Sequence, residues 1–132
     1  MTDEERRRAT PIAEDVGLEL VVLFGSLAAG TARPDSDADL AVRAADRLTW
    51  ERRLEIAGRM RAAFHRDVDV VDLRTADPFL LRGVFRQPAL LHGASERLAS
   101  ERLRAFHRYE DYRPMLALDR RALRRALGLH GD

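Results

Sequence analysis

The stretch LFGSLAAGTARPDSDADLAV, residues 23–42, constrains the fold more than any other part of the chain. It joins two apolar runs through Gly25-Ser26, ten further residues, and the pair Asp37 and Asp39. Carboxylates two residues apart in an extended segment point to one face of a sheet, where they repel unless a cation lies between them. A Gly-Ser pair between a strand and a helix is a common phosphate-binding turn. The stretch therefore predicts metal-assisted phosphoryl or nucleotidyl transfer.

Length and composition indicate one domain with a real core. The chain has 132 residues, of which 45% are hydrophobic and 34% charged, as expected of a globular protein. No apolar run reaches 18 residues, and the opening MTDEERRRAT has no apolar segment, so neither a transmembrane helix nor a secretory signal is predicted. Cysteine is absent, which excludes disulfides and thiolate metal sites. The predicted location is the cytoplasm.

All 23 basic residues are arginine, and they are balanced by 22 acidic residues, which leaves a net charge of +1. The absence of lysine is typical of a GC-rich genome, so the arginines are not in themselves a sign of phosphate binding. The balanced charge predicts no direct binding of nucleic acid.

The hydrophobic pattern predicts alternating strands and helices, followed by helices alone. Predicted strands cover Leu18–Phe24, Asp37–Arg43 and Asp67–Leu73, and the short apolar segment 89–91 is either an edge strand or the end of the packed unit. Predicted helices cover 3–16 with an interruption or restart at Pro11, 26–32 capped by Ser26, 49–64 capped by Thr49, a segment from Asp77-Pro78, and 95–112 capped by Ser95. This order favours an α/β (α+β) fold with a small mixed β-sheet flanked by helices.

Proline and leucine positions refine the helices. Pro114 is predicted to end the helix that begins at Ser95, and a last helical segment runs from Met115 to Leu127. The buried stripe predicted for the helix after Thr49 comprises Leu54, Ile56, Ala57, Met60 and Phe64. We expect residues 1–92 to form the main unit and residues 93–132 a C-terminal helical extension, together one compact domain.

A third carboxylate completes the predicted site. Asp69 lies between valines of the third strand, where an uncompensated charge is costly and metal coordination would compensate it. Asp67 shares its face and is an alternative ligand, whereas Asp72 faces the other way and is interpreted as a strand-end residue. The histidines have no metal-ligand spacing and are interpreted as surface or core-edge residues: His65, His92, His107 and His130.

The motif Gly25-Ser26, ten residues, Asp37-x-Asp39, with Asp69 in VDVVDL, resembles the signature of the DNA polymerase β-like nucleotidyltransferase superfamily. GSLAAGTARPDSDADLAV more closely resembles its minimal (MNT-type) members. The C-terminal segment 106–114, FHRYEDYRP, resembles the tail of MNT antitoxins that act on a HEPN-domain toxin.

The resemblance implies two-metal nucleotidyl transfer. Asp37 and Asp39 would ligate Mg²⁺ ions that bridge the phosphates of ATP, and Asp69 would complete the second ion and help to activate the attacking hydroxyl. Gly25 and Ser26 would hold the leaving pyrophosphate. In the antitoxin branch the acceptor is a tyrosine hydroxyl of the HEPN toxin, and AMP transfer blocks the RNase site of the toxin.

One departure from the family pattern lies inside the phosphate-binding segment. Members often carry an arginine before its second glycine, where this chain has Leu27, Ala28 and Ala29. Arg33 is the candidate substitute, and Ser36 joins it as a predicted nucleotide-binding residue.

Two alternatives remain open for the function. One is an antitoxin that neutralises its toxin by binding alone; the other is a small-molecule nucleotidyltransferase of the aminoglycoside-modifying kind, for which the short chain leaves little room. Two surface interpretations are also open. The stripe Leu98, Ala105, Phe106, Tyr109 and Tyr112 is interpreted as helix packing or as a partner-binding surface. The arginine pairs 120/124 and 121/125 are interpreted as a solvated face or as a contribution to complex formation.

Overall fold

A mixed four-stranded sheet forms the centre of the molecule. The structure is a computed structural model that describes residues 1–126 and 128, with side chains for 1–114, 122, 124, 125 and 128. The strands are β1 Leu18–Phe24, β2 Ala38–Ala44, β3 Val68–Asp72 and β4 Ala89–His92; the helices are α1 Asp3–Asp15, α2 Ser26–Ala29, α3 Trp50–Phe64, α4 Pro78–Val84 and α5 Ser95–Ala126. The predicted fold class is confirmed.

The strand order is β3-β2-β1-β4. β1 is antiparallel to both of its neighbours, and β2 is parallel to β3. The parallel pair is connected through α3, as a parallel connection requires a crossover. The predicted edge strand is confirmed as β4. β2 begins and ends one residue later than predicted, and β3 is one residue shorter at each end; both differences are within the usual uncertainty of strand ends.

Both faces of the sheet are covered, which explains why every residue of β1 except Glu19 is apolar. Leu40, Val42 and Val70 lie in a core cluster with α1 and α3, as the alternation in the sequence predicts. Val22 and Ala41, on the opposite face, pack in a second cluster with α4 and α5. The face that carries Asp39 is therefore partly covered by helices as well.

α1 is one continuous helix. Thr2 and Glu5 form a reciprocal capping box at its start, and Pro11 lies inside the helix. The predicted interruption at Pro11 is therefore wrong. The proline ring is exposed to solvent, so the helix loses one backbone hydrogen bond without disturbing the buried face of Ala9 and Ala13.

α3 begins after Thr49, whose side chain accepts a hydrogen bond from the Arg52 N–H, as predicted. Its buried face contains Ile56, Met60, Ala63 and Phe64. Leu54, predicted to be buried, is 53% exposed. Leu54 lies two positions before Ile56, which places its side chain about 200° around the helix from that residue of the buried face.

α5 continues through Pro114 to Ala126, so the predicted end at Pro114 and the separate last segment are wrong. Long helices accept a proline where a kink and one missing hydrogen bond are not penalised by packing. Ser95, predicted as the cap, is the first residue of the helix itself. Leu127 and His130 lie outside the described residues. Among the described helices none is long and apolar enough to cross a bilayer.

Candidate active site

The segment between β1 and β2 opens with a single helical turn, α2. The predicted helix 26–32 with a Ser26 cap is wrong in length and in its cap. Gly25 holds the N-cap position without a side-chain hydrogen bond, Ser26 is the first helical residue, and Gly30 ends the turn in the left-handed conformation. The backbone N–H groups at the start of such a turn have no helical partners.

Gly25 brings this turn against a carboxylate. Its φ of 76° lies in the region that side chains disfavour. A Cβ atom built at this position would collide with the Oδ2 atom of Asp39. A side chain at this position would therefore strain the backbone and displace the Asp39 carboxylate.

The sheet brings the three predicted carboxylates together. Asp39 of β2 pairs with Phe24 of β1 on one side and with Asp69 of β3 on the other. Asp37 directly precedes β2, which begins at Ala38 rather than at Asp37 as predicted. Asp37 and Asp69 are exposed, whereas Asp39 is partly buried.

The electrostatics of Asp39 reflect this crowding. Burial raises the pKa of the Asp39 carboxyl, and the neighbouring charges of Asp69 and Asp37 raise the same pKa further. A divalent cation would reverse the effect, because it favours the ionised form of every oxygen ligand around it.

The donor set fits a hard cation. Three carboxylates beside a glycine turn offer the oxygen ligands that Mg²⁺ prefers. In the described residues no three acidic or histidine groups converge closely enough to enclose an ion as they stand. Asp37 and Asp69 are exposed at the surface, so their side chains have room to rotate toward Asp39.

A tight turn carries the chain into the site. The Arg33 N–H donates to the Ser36 hydroxyl oxygen at 2.8 Å, and the Ser36 N–H donates to the Arg33 carbonyl at 3.0 Å. The Arg66 guanidinium donates to the carbonyls of both residues, at 3.2 and 2.9 Å. The turn directly precedes Asp37, so these bonds fix the backbone from which that carboxylate extends.

Arg66 was missed by the sequence reasoning. It lies two residues before β3, between an exposed histidine and an exposed aspartate, and no spacing pattern distinguishes it from the other arginines. Arg33, the predicted nucleotide-binding arginine, has an exposed side chain in the same turn.

The alternative acidic residues have other partners. Asp67 is highly exposed and lies 3.0 Å from the Arg61 guanidinium. Asp72 is 2% exposed and accepts hydrogen bonds from the N–H groups of Leu48 and Arg74. Asp72 therefore ends β3 as a structural residue, as predicted.

The described histidines lie where they were expected. His65 ends α3 in the left-handed conformation and is exposed, as is His107. His92 lies in β4 with its Nε2 atom 3.1 Å from the Leu18 carbonyl.

Residues 10–97 match the family model described as polymerase beta, nucleotidyltransferase. The chain belongs to this family. The match covers the turn at Gly25 and all three carboxylates, as well as the four strands that position them.

One curated relative within the nucleotidyltransferase family is a protein adenylyltransferase. The chain is 43% identical over 79 residues to the protein adenylyltransferase MntA of Shewanella oneidensis, a match that covers 60% of this chain and 57% of that protein. The matched stretch therefore spans little more than half of the length of this curated relative.

Two solved structures match over nearly their whole length. A chain in the crystal structure of a toxin–antitoxin with AMP-PNP has a TM-score of 0.76 and 31% identity, covering 96% of this chain and 98% of that one. A chain in the structure of the tri-AMPylated Shewanella oneidensis HEPN toxin with its MNT antitoxin has a TM-score of 0.73, 29% identity and the same coverage.

Proposed function

We propose that this chain is an antitoxin that transfers AMP from ATP to a tyrosine hydroxyl of a cognate HEPN-domain RNase toxin and thereby neutralises it. The observation that carries the proposal is that Asp37 and Asp69 lie near enough to Asp39 for their charges to act on it, beside the Gly25 turn. The similarity to MntA and to chains of toxin–antitoxin complexes supports both the donor and the acceptor. The reaction would take place in the cytoplasm, where ATP and the toxin meet.

In this reaction the acceptor oxygen forms a bond to the α-phosphorus of ATP, the bond from that phosphorus to the bridging oxygen breaks, and pyrophosphate leaves. Asp69 lies beside Asp39 in the sheet and would draw the hydroxyl proton of the acceptor. The N–H groups at Gly25 and Ser26, with Arg33 and Ser36 nearby, would hold the phosphates of the leaving group.

The three carboxylates would hold the metal. Asp37 and Asp39 would bind both Mg²⁺ ions and Asp69 the second one. Bound Mg²⁺ supplies charge neutralisation on the phosphates and lowers the pKa of a bound acceptor hydroxyl. The pKa of Asp39 is raised in the free protein by burial and by Asp69 and Asp37, and a bound cation would act in the opposite direction by stabilising the ionised carboxylate.

The test is label transfer from ATP to the product of the adjacent gene in the presence of Mg²⁺. We expect Asp37→Ala with Asp39→Ala to lower the transfer rate by at least about 100-fold, because the phosphate charge is then no longer neutralised. Asp67→Ala is the matched control, since Asp67 is an exposed aspartate of the same strand region paired only with Arg61.

The competing function is neutralisation by binding alone. It is favoured by Leu27, Ala28 and Ala29, which stand where related proteins often carry an arginine. If the double alanine variant neutralised the toxin in cells as fully as the wild type, the catalytic proposal would be abandoned in favour of binding.

A further inference from the structure

A cleft lies between α4 and α5, and we name it the α4–α5 cleft. It is lined mainly by arginine and aromatic side chains and includes none of the three carboxylates of the candidate active site. It has a volume of about 420 Å³, within the range of about 300–1,000 Å³ that is usual for pockets that take a small ligand or an anchoring side chain. Its residues combine cations and aromatic rings: Arg82, Arg86, Arg102, Arg113, Phe106 and Tyr109.

The cleft carries a surplus of positive charge. Its four guanidinium groups face one carboxylate, Glu110, which lies 3.9 Å from Arg113. Arg86 and Arg102 are exposed, and their side chains form no hydrogen bond or ion pair with the described part of the chain. Guanidinium groups held close together without a counter-charge favour an anion, and their planar fork matches a carboxylate.

Of the aromatic side chains of the cleft, Tyr109 is held by a contact and Phe106 is exposed. The Arg82 guanidinium donates to the Tyr109 hydroxyl at 2.6 Å and lies 4.5 Å from the centre of its ring, so this tyrosine is held in place. Phe106 is 59% exposed. Arginine, tyrosine and phenylalanine around a pocket are the composition of a protein-binding hot spot.

The surface around the cleft favours a protein over a small anion. Leu103, on an adjoining side of α5, is 58% exposed, so the apolar surface continues beyond the cleft. From 102 to 113 the chain has four arginines and two acidic residues, although the whole chain carries a net charge of only +1. An extended basic and apolar helix is complementary to a partner that is acidic over a comparable length.

We propose that the α4–α5 cleft docks the protein partner, and that its occupant is an acidic segment bearing an apolar or aromatic side chain. The carboxylate of that segment would bind Arg86 and Arg102, and its apolar group would pack on Phe106. This assignment rests on the proposed function for the existence of the partner toxin, but it names the surface and the chemistry by which that partner is held.

The test reverses charge in the cleft. We expect Arg86→Glu with Arg102→Glu to raise the Kd for the purified toxin at least about 100-fold, since like charges then face each other, and Phe106→Ala to raise it about tenfold. Both variants should bind AMP-PNP as the wild type does. Arg7→Glu with Arg47→Glu is the matched control, because these exposed arginines carry the same charge change outside the cleft.

The outcomes separate the two proposals. Wild-type Kd in the cleft variants, with AMP transfer by the wild-type chain intact, overturns the docking site and leaves the proposed function standing. Loss of AMP-PNP binding with normal toxin binding identifies the cleft as a nucleotide site and also overturns it. A wild-type chain that neither binds nor labels the toxin removes the proposed function and the docking site together. Unchanged circular dichroism and unfolding curves establish that each variant is folded.

Discussion

At the scale of single residues, the site depends on how closely Gly25 and Asp39 approach each other. The conformation of Gly25 and the position of its missing Cβ both leave room for the Asp39 carboxylate. A single methyl group at this position would act on the backbone of the turn and on the proposed metal ligand at once.

We therefore expect Gly25→Ala to destabilise the protein by about 1–3 kcal/mol, the usual cost of a side chain in a disfavoured backbone region, and to abolish AMP transfer by displacing Asp39. Urea unfolding and the label-transfer assay measure the two effects. Gly58→Ala is the control, since a Cβ at that helical position meets nothing within 4 Å. Equal stability and activity of the two variants would contradict the close approach.

Asp39 itself should make stability depend on pH. Because its pKa is raised in the folded protein, the protonated form is favoured by folding, and that contribution is lost as the pH rises from the unfolded value of about 3.9 through the folded value. In EDTA, Asp39→Asn should be more stable than the wild type at pH 7, and the difference should disappear below about pH 4.

Urea unfolding at the two pH values measures this difference. Adding Mg²⁺ at pH 7 should stabilise the wild type, because the ionised Asp39 carboxylate binds the cation in the folded state. The stability of Asp39→Asn should not change, because its amide side chain carries no charge. A wild type that is the more stable protein at pH 7 in EDTA would contradict the raised pKa.

At the scale of elements, one partly buried ion pair attaches α5 to the sheet. The Arg43 guanidinium of β2 lies 2.6 Å from Glu101 of α5 and 3.6 Å from Glu19 of β1. Glu101 is 8% exposed; Arg104 lies 3.4 Å from it on α5 itself, so Arg43 is its closest counter-charge and the one that links it to the sheet.

Glu101→Ala should therefore lower the free energy of unfolding by about 3 kcal/mol, because it leaves the Arg43 charge without its main partner in a poorly solvated place. Glu55→Ala removes an exposed pair with Arg52 and should cost less than about 1 kcal/mol. Denaturant unfolding of both variants measures the difference. Similar costs for the two would show that Glu101 is solvated like a surface residue.

The two prolines show where pattern reasoning fails at this scale. Pro11 and Pro114 both lie inside continuous helices, although each predicts an interruption. A proline inside a helix costs one backbone hydrogen bond and one steric clash, and the other interactions of the helix can outweigh that cost. The weight of the remaining contacts is a tertiary property that a local pattern does not contain.

At the scale of the whole molecule, the parts of the fold that follow a strict period were predictable. β1 and the alternation in β2 placed Leu40 and Val42 in the core and Asp39 on the other face, and the register of β2 with β3 then set Asp39 beside Asp69. The roles of Gly25, Ser26, Arg33, Ser36 and the three carboxylates in binding nucleotide and metal stay predictions. So does the division into residues 1–92 and 93–132.

The arginines were the least predictable part of the molecule. Several side chains donate to backbone carbonyls far along the chain: Arg8 to Ala63, Arg52 to Val16, Arg53 to Val70, Arg66 to Arg33 and Ser36, and Arg74 to Ala44 and Ala45. These bonds depend on which loops the fold brings together, and arginine reaches them because its long side chain carries several donors. The amino-acid composition does not indicate which arginines form these hydrogen bonds.

The length of α5 has a consequence for the shape of the molecule in solution. A helix of 32 residues is about 48 Å long, whereas a compact chain of this size has a radius of gyration of about 14 Å, equivalent to a sphere about 36 Å across. A helix longer than this diameter predicts a molecule that is elongated along α5. Its X-ray scattering and its rotational diffusion should be those of an anisotropic particle, and a fluorophore on α5 would tumble at different rates about its long and short axes.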